Sequence, residues 1–152
     1  MNIDFSKSND GLVPAIIQDN TTKTVLMLGY MNQKAFDLTN STGNVHFFSR
    51  SKERIWMKGE TSGNILNLCS IALDCDSDAL LVKVNPSGPT CHKGDDTCWE
   101  ESNEKDFISI LEELIQDRIK NPNSTSSSNP KVSNFIIHLY FNSILRLLNK
   151  QS

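Results

Sequence analysis

Positive charge is not in surplus in this chain: 15 Lys and Arg stand against 18 Asp and Glu, a formal net charge of −3 with a pI near 5.6. That balance gives no electrostatic pull toward nucleic acid. The one basic stretch, Arg50-Ser51-Lys52-Glu53-Arg54, suits a small polyanionic ligand better than a duplex. The opening MNIDFSKSND has neither the basic nor the apolar region of a secretory signal, and no apolar run approaches the roughly 20 residues a membrane span needs. The expectation is a soluble, cytoplasmic chain without nucleic-acid or membrane partners. Cysteine is sparse, with four residues in 152. In a reducing compartment such thiols argue for metal or catalysis more than for disulfides. Acids stop at Asp117, so residues 118–152 hold none of the carboxylates that magnesium chemistry requires. No internal repeat is visible.

What is present reads as alternating short elements. Leu12 to Ile17 and Val25 to Leu28 are apolar, β-rich runs around a polar turn, with Pro14 suited to a strand start or an edge. A helix is expected from about Asn32 to just before Gly43, with Ala35, Phe36 and Leu38 as its apolar positions. Val45 to Phe48, Arg54 to Met57, Ile65 to Leu73 and Ala79 to Val84 read as further strands, and Pro86 to Thr97 as a Gly/Pro-punctuated loop. The expected class is α+β: a small mixed sheet or pseudobarrel over 1–104 with one or two short helices, then a helical C-terminal extension. Phe107, Ile108, Leu111, Leu114, Ile115 and Ile119 recur at helical spacing. A Ser/Asn/Pro stretch from Asn121 to Pro130 reads as linker, and Phe135 to Leu148 as an apolar tail segment.

The segment Asp74-Cys75-Asp76-Ser77-Asp78 carries the strongest local chemistry. Extended, it would put the three carboxylates on one face and Cys75 on the other. Carboxylates side by side repel unless a cation joins them, and a hard ion such as Mg²⁺ takes oxygen ligands where thiolates favour zinc. Asp-rich turns are also commonly plain solvated loops. Cys91 and Cys98 are separated by six residues, wider than the usual structural zinc knuckle. With Cys75 they would make three thiolates and leave a fourth position for water; His92 could fill that position or carry protons beside it. The other reading is that such thiols are simply small buried hydrophobes, and this is the expectation for Cys69 inside its apolar run.

Several stretches in order resemble the phosphoribosyl-AMP cyclohydrolase family: Gly11 to Asp19, Val25 to Asn32, Ser49-Arg50-Ser51, Trp56 to Asn64, Asp74 to Val82, and Gly88-Pro89-Thr90-Cys91-His92. The resemblance implies a zinc site of Cys75, Cys91 and Cys98 shared across a homodimer, with Cys75 from one chain and the other two from its partner. It also implies a magnesium site at Asp74, Asp76 and Asp78. The implied reaction is hydrolysis of the N1–C6 bond of an adenine that carries phosphoribosyl on N1, by a water whose pKa zinc lowers. His92 is the first candidate for the base and His46 the second, with a structural role for His46 equally open. The substrate's phosphates give Arg50, Lys52, Arg54 and Lys58 a role, helped by backbone N–H groups around Gly59, Thr61, Ser62 and Gly63. Trp56 is expected in the core more than on a base.

Residues 105–123 resemble the first helix of phosphoribosyl-ATP pyrophosphohydrolase, to which this family is often fused. The resemblance breaks near Ser124, so 124–152 is expected to be linker and divergent tail without that second activity. A bifunctional enzyme, a zinc-stapled interaction module and a nucleotide deaminase are the competing readings. The deaminase lacks its Pro-Cys-x-x-Cys signature here.

Overall fold

The structure, a computed structural model, describes residues 2–105 and 107–121. The expectations placed on 124–152 lie outside the described residues. The chain divides into two compact units, residues 1–107 and 108–152.

In the first unit, β1 (Val13–Asp19) pairs antiparallel with β2 (Val25–Met31), the two runs expected from the sequence. Helix α1 (Gln33–Thr42) follows at once. The Asn32 side chain accepts the Ala35 N–H at 2.9 Å and caps its start, and Gly43 closes its end at φ 72° with its N–H on the Thr39 carbonyl. Strands β3 (His46–Ser49) and β4 (Arg54–Met57) form a separate hairpin with Phe47 opposite Trp56. Strands β5 (Leu66–Leu73) and β6 (Leu80–Pro86) complete a four-stranded sheet in the order β2-β1-β6-β5, in which β1 and β6 run parallel.

The α+β class holds. Among the described residues the sheet stays open, with β2 and β5 at its edges, and the strands do not close into a barrel. Alternation explains the core: Val13, Ala15 and Ile17 of β1 and Leu80, Val82 and Val84 of β6 point to the same side and are buried with Leu26, Met31, Val45, Phe47 and Leu66. Ala35 and Thr39, one helical turn apart, seat α1 on this core. The Thr39 hydroxyl accepts the His46 N–H at 2.9 Å and so ties helix to hairpin. Gly29 is required by packing, because a Cβ there would lie 2.3 Å from the buried Phe47 ring.

Cys69 differs from its expected place. The β5–β6 register shifts between Leu68 and Ser70, and Cys69 sits at that irregularity on an edge strand, exposed. Leu66 and Leu68 take the inner face, so Cys69 falls on the outer one at the bulge.

Helix α2 (Phe107–Lys120), which belongs to the second unit from Ile108 onward, is the helix expected from the apolar spacing. Among the described residues no helix is long and apolar enough to cross a membrane.

Candidate active site

Two loops meet over the β3–β4 hairpin. The first, Lys58 to Asn64, leaves β4 in a tight turn: the Gly63 N–H bonds to the Gly59 carbonyl at 2.9 Å, and the Glu60 N–H to Met57 at 3.0 Å. Gly59 has φ 88° and lies directly against the Asn64 and Ile65 backbone; a Cβ would come within 2.5 Å of the Asn64 carbonyl oxygen. The second loop follows β6. The Thr90 and Cys91 N–H groups bond to the Asp96 and Asp95 carbonyls at 3.2 and 2.9 Å, and the Cys98 N–H bonds to Leu26 of β2 at 2.8 Å. These bonds fold the six-residue interval back on itself, which brings the Cys98 thiol within electrostatic reach of Cys91.

Between the loops opens a cavity of about 540 Å³. Lys52, Arg54, Lys58, Gly59, Thr61 and Ser62 line one side of it, and Cys91 and His92 the other. It thus joins most of the expected phosphate-binding residues to Cys91, one of the three expected zinc ligands, and to His92, the first candidate base; Cys75 and Cys98 do not line it. Arg54 holds Glu60 at 2.7 Å, and that guanidinium keeps the Glu60 carboxyl below its usual range. Burial draws the Lys58 ammonium below its ordinary pKa, against the opposing pull of Cys98 and then Cys91. Burial, followed by the nearby Cys91, pushes the Cys98 thiol up.

Not every expected residue arrives. Gly63 turns the loop without lining the cavity. The Arg50 guanidinium lies 3.8 Å over the Tyr30 ring, a cation–π stack outside the cavity wall. His46 bonds through Nδ1 to the Asn44 carbonyl at 2.8 Å and lines a second cavity of about 560 Å³ with Asn32, Lys34 and Phe48. Trp56 packs its ring 5.4 Å from Phe47 and is half-buried, part of the wall of both cavities.

The acidic segment is a turn, not an extended strand. Asp74 Oδ1 accepts the Asp78 and Ala79 N–H groups at 3.0 and 3.1 Å, and Ser77 takes φ 69°. These bonds, the one from Ala79 foremost, lower the Asp74 carboxyl pKa. The alternation expected to separate Cys75 from the acids therefore does not operate; local Asp–backbone bonding wins. The turn nonetheless gathers Asp74, Asp76 and Asp78, whose carboxylate oxygens come within 4.8 Å of one another. Lys7, which the sequence did not single out, reaches this group: its ammonium is 3.1 Å from Asp76 Oδ2 and 3.4 Å from Asp78 Oδ2. The Asp4 N–H bonds to the Ser77 carbonyl at 2.8 Å and anchors the N-terminal segment there.

The donor sets fit the two ions unequally. Cys91 and Cys98 are free thiols placed together, and the buried Thr90 hydroxyl beside Cys91 has no hydrogen-bond partner. That is a soft set with a spare donor, suited to zinc. It is incomplete within one chain, because neither Cys75 nor His92 joins both thiols at ligand distance; among the described residues only the three aspartates form such a group. The aspartates suit a hard cation, which would have to share them with Lys7.

Residues 27–100 match the phosphoribosyl-AMP cyclohydrolase family. The histidine biosynthesis bifunctional protein HisIE of Bacteroides thetaiotaomicron is 57% identical over 120 residues, 78% of this chain and 59% of its own length. The HisIE of Vibrio vulnificus is 58% identical over 113 residues, covering 72% of this chain and 54% of itself. That of Salmonella typhimurium is 52% identical over 131 residues, 86% and 64% respectively. The chain carries a phosphoribosyl-AMP cyclohydrolase domain. It spans less than two thirds of the length of these curated relatives. The matched stretch contains both cavity loops, all four cysteines and the acidic turn, but not Lys7 or the N-terminal segment that meets that turn. Lys7 gave no sequence signal, since a lone lysine 69 residues away from Asp76 has no visible pattern.

Proposed function

We propose that this chain opens the adenine ring of 1-(5-phosphoribosyl)-AMP in histidine biosynthesis by hydrolysis of the N1–C6 bond. The observation that carries this reading is the shared cavity, in which a cationic, Gly-rich loop faces Cys91 and His92. Lys52, Arg54 and the Thr61–Ser62 turn bind a substrate phosphate, Arg through its planar fork and the turn through hydroxyl and N–H donors. The thiols of Cys91 and Cys98, with Cys75 contributed by a second copy of the chain, hold zinc, which when bound supplies the Lewis acidity that makes water nucleophilic at neutral pH. Lys58 lies within electrostatic reach of both thiols and offsets the surplus negative charge of three thiolates.

His92 Nδ1 is 3.9 Å from Cys91 Sγ, so Nε2 is the ring nitrogen free to take the proton from the attacking water. The water oxygen bonds to C6, the C6–N1 bond breaks, and N1 keeps the electron pair and takes a proton. Asp74, Asp76 and Asp78 hold magnesium. The free state of all four cysteines supports a reducing, cytoplasmic setting.

An ultraviolet assay of ring opening, run with and without a zinc chelator, tests the reading. Cys91→Ser should abolish turnover, and Asp76→Asn should weaken it and change the magnesium response. Full-speed turnover after chelation would sink the role of zinc. Ammonia release would make the chain a deaminase, and unfolding on chelation without any turnover would make it a stapled module.

A further inference from the structure

Thr97 stands one residue before Cys98 and outside every role discussed so far. Its side chain is fully buried, unusual for a hydroxyl in a polar loop. Its Oγ1 accepts the N–H groups of Trp99 and Glu101 at 3.2 and 3.0 Å and donates to the Glu101 carbonyl at 3.1 Å. One hydroxyl thereby spends all its hydrogen-bonding capacity on the turn that immediately follows Cys98. The Cys98 N–H is held separately on Leu26 of β2. Cys98 is thus clamped at its own backbone by the sheet and at its neighbours by Thr97, on the loop whose Cys91 N–H is bonded back to Asp95.

We infer that Thr97 is a positioning residue for the Cys98 thiol, holding it where a divalent ion can be shared with Cys91. The inference rests on the zinc reading above. A valine has the shape of threonine but no hydroxyl, so it would leave the Trp99 and Glu101 N–H groups without their acceptor and let the turn relax. Serine keeps the hydroxyl. Groups that orient a metal ligand without touching the metal commonly change affinity by about 10–100-fold when removed.

Cobalt(II) titration of the full chain, followed by the thiolate-to-cobalt charge-transfer band, reads this directly. Thr97→Val should weaken cobalt binding by about 10–100-fold and shift the band, Thr97→Ser should restore both, and Thr97→Val on a Cys98→Ser background should add nothing. If Thr97→Val does not fold, Thr97→Ala, which leaves room for a water to replace the hydroxyl, should show an intermediate loss. Wild-type affinity and spectrum in the valine or alanine variant, or no rescue by serine, would overturn the inference alone. A wild-type chain without any thiolate band would overturn the zinc reading and this inference with it.

Discussion

Gly59→Ala separates two costs that the cavity loop imposes on one position. The first is backbone conformation: at φ 88° an L-residue is strained by about 1–2 kcal/mol. The second is space. The new methyl would sit 2.5 Å from the Asn64 carbonyl oxygen, 2.6 Å from its carbon and 2.7 Å from the Ile65 nitrogen. These are backbone atoms that cannot swing aside as a side-chain tip can, and forced overpacking of this kind costs about 1–3 kcal/mol. Together the change should destabilise by roughly 2–5 kcal/mol, a large share of a typical domain's 5–15 kcal/mol. Gly63→Ala supplies the internal reference. Gly63 has φ 76° and nothing within 4 Å of its virtual Cβ, so only the conformational part applies, about 1–2 kcal/mol. Urea unfolding at equal slope should move the midpoint by roughly 1–3 M for Gly59→Ala and clearly less for Gly63→Ala. Ring-opening KM should rise with Gly59→Ala, because Asn64 lines the cavity and Gly88, at the start of the Cys91 loop, lies 2.6 Å in virtual Cβ distance from the Asn64 side-chain oxygen. Equal stabilities for the two variants, or a Gly59→Ala chain within about 0.5 kcal/mol of wild type, would refute the packing account.

Adjacent residues of β1 should respond oppositely to truncation. Ile17→Ala removes a fully buried side chain and should cost about 2–5 kcal/mol, while Ile16→Ala, on the 37% exposed face, should cost under about 1 kcal/mol by the same urea titration. The Arg54–Glu60 pair makes a pH prediction. Glu60 has a depressed folded-state pKa, so its contribution is present above the ordinary unfolded value of about 4.3 and lost as pH falls through the lower folded value. The melting temperatures of wild type and Arg54→Gln should differ at neutral pH and converge in acid below that point; a difference that grows on acidification would reverse the assignment.

The fold was largely legible because its elements follow local rules that operate independently of distant contacts. Asn32 and Gly43 bracket α1 by capping chemistry, and β1 and β6 declare themselves as apolar, β-rich runs. Legibility failed where one rule displaced another. The segment from Asp74 to Asp78 follows turn chemistry instead of strand periodicity, since the Asp74 carboxylate captures two N–H groups that a strand would have left for pairing. The three acids still come together, for a reason other than alternation. Cys69 was misjudged because an apolar run was read as buried throughout, whereas β5 is an edge strand with one face open to solvent. At the site, residues close in sequence to the Gly-rich loop were gathered as expected, but Arg50 was drawn off by the Tyr30 ring and His46 was turned to a different cavity. Thr97 and Lys7 were missed because their partners are set by tertiary approach or by a hydroxyl bonding to backbone, neither of which marks a composition or a spacing.

How the Cys91–Cys98 loop is held bears on whether its metal would be structural or catalytic. A structural zinc supplies the cross-links that a small loop lacks, and such modules unfold when it is removed. Here the loop has its own: the Cys91 and Thr90 N–H groups bond within it, the Cys98 N–H bonds to β2, and Asn103 donates to Asp19 at 2.8 Å while its N–H bonds to Asp96 at 3.0 Å. The core of β1, β2 and β6 is closed by buried side chains with no cysteine among them. On the proposed reading, the free energy of a metal bound at these thiols would not be needed for folding and would remain available to polarise a ligand. His92, next to Cys91 but not joined to both thiols at ligand distance, would on that reading be left for proton transfer. On the proposed reading the cationic pocket beside Cys91 would receive a phosphorylated substrate, and a stapled module would have no use for that pocket.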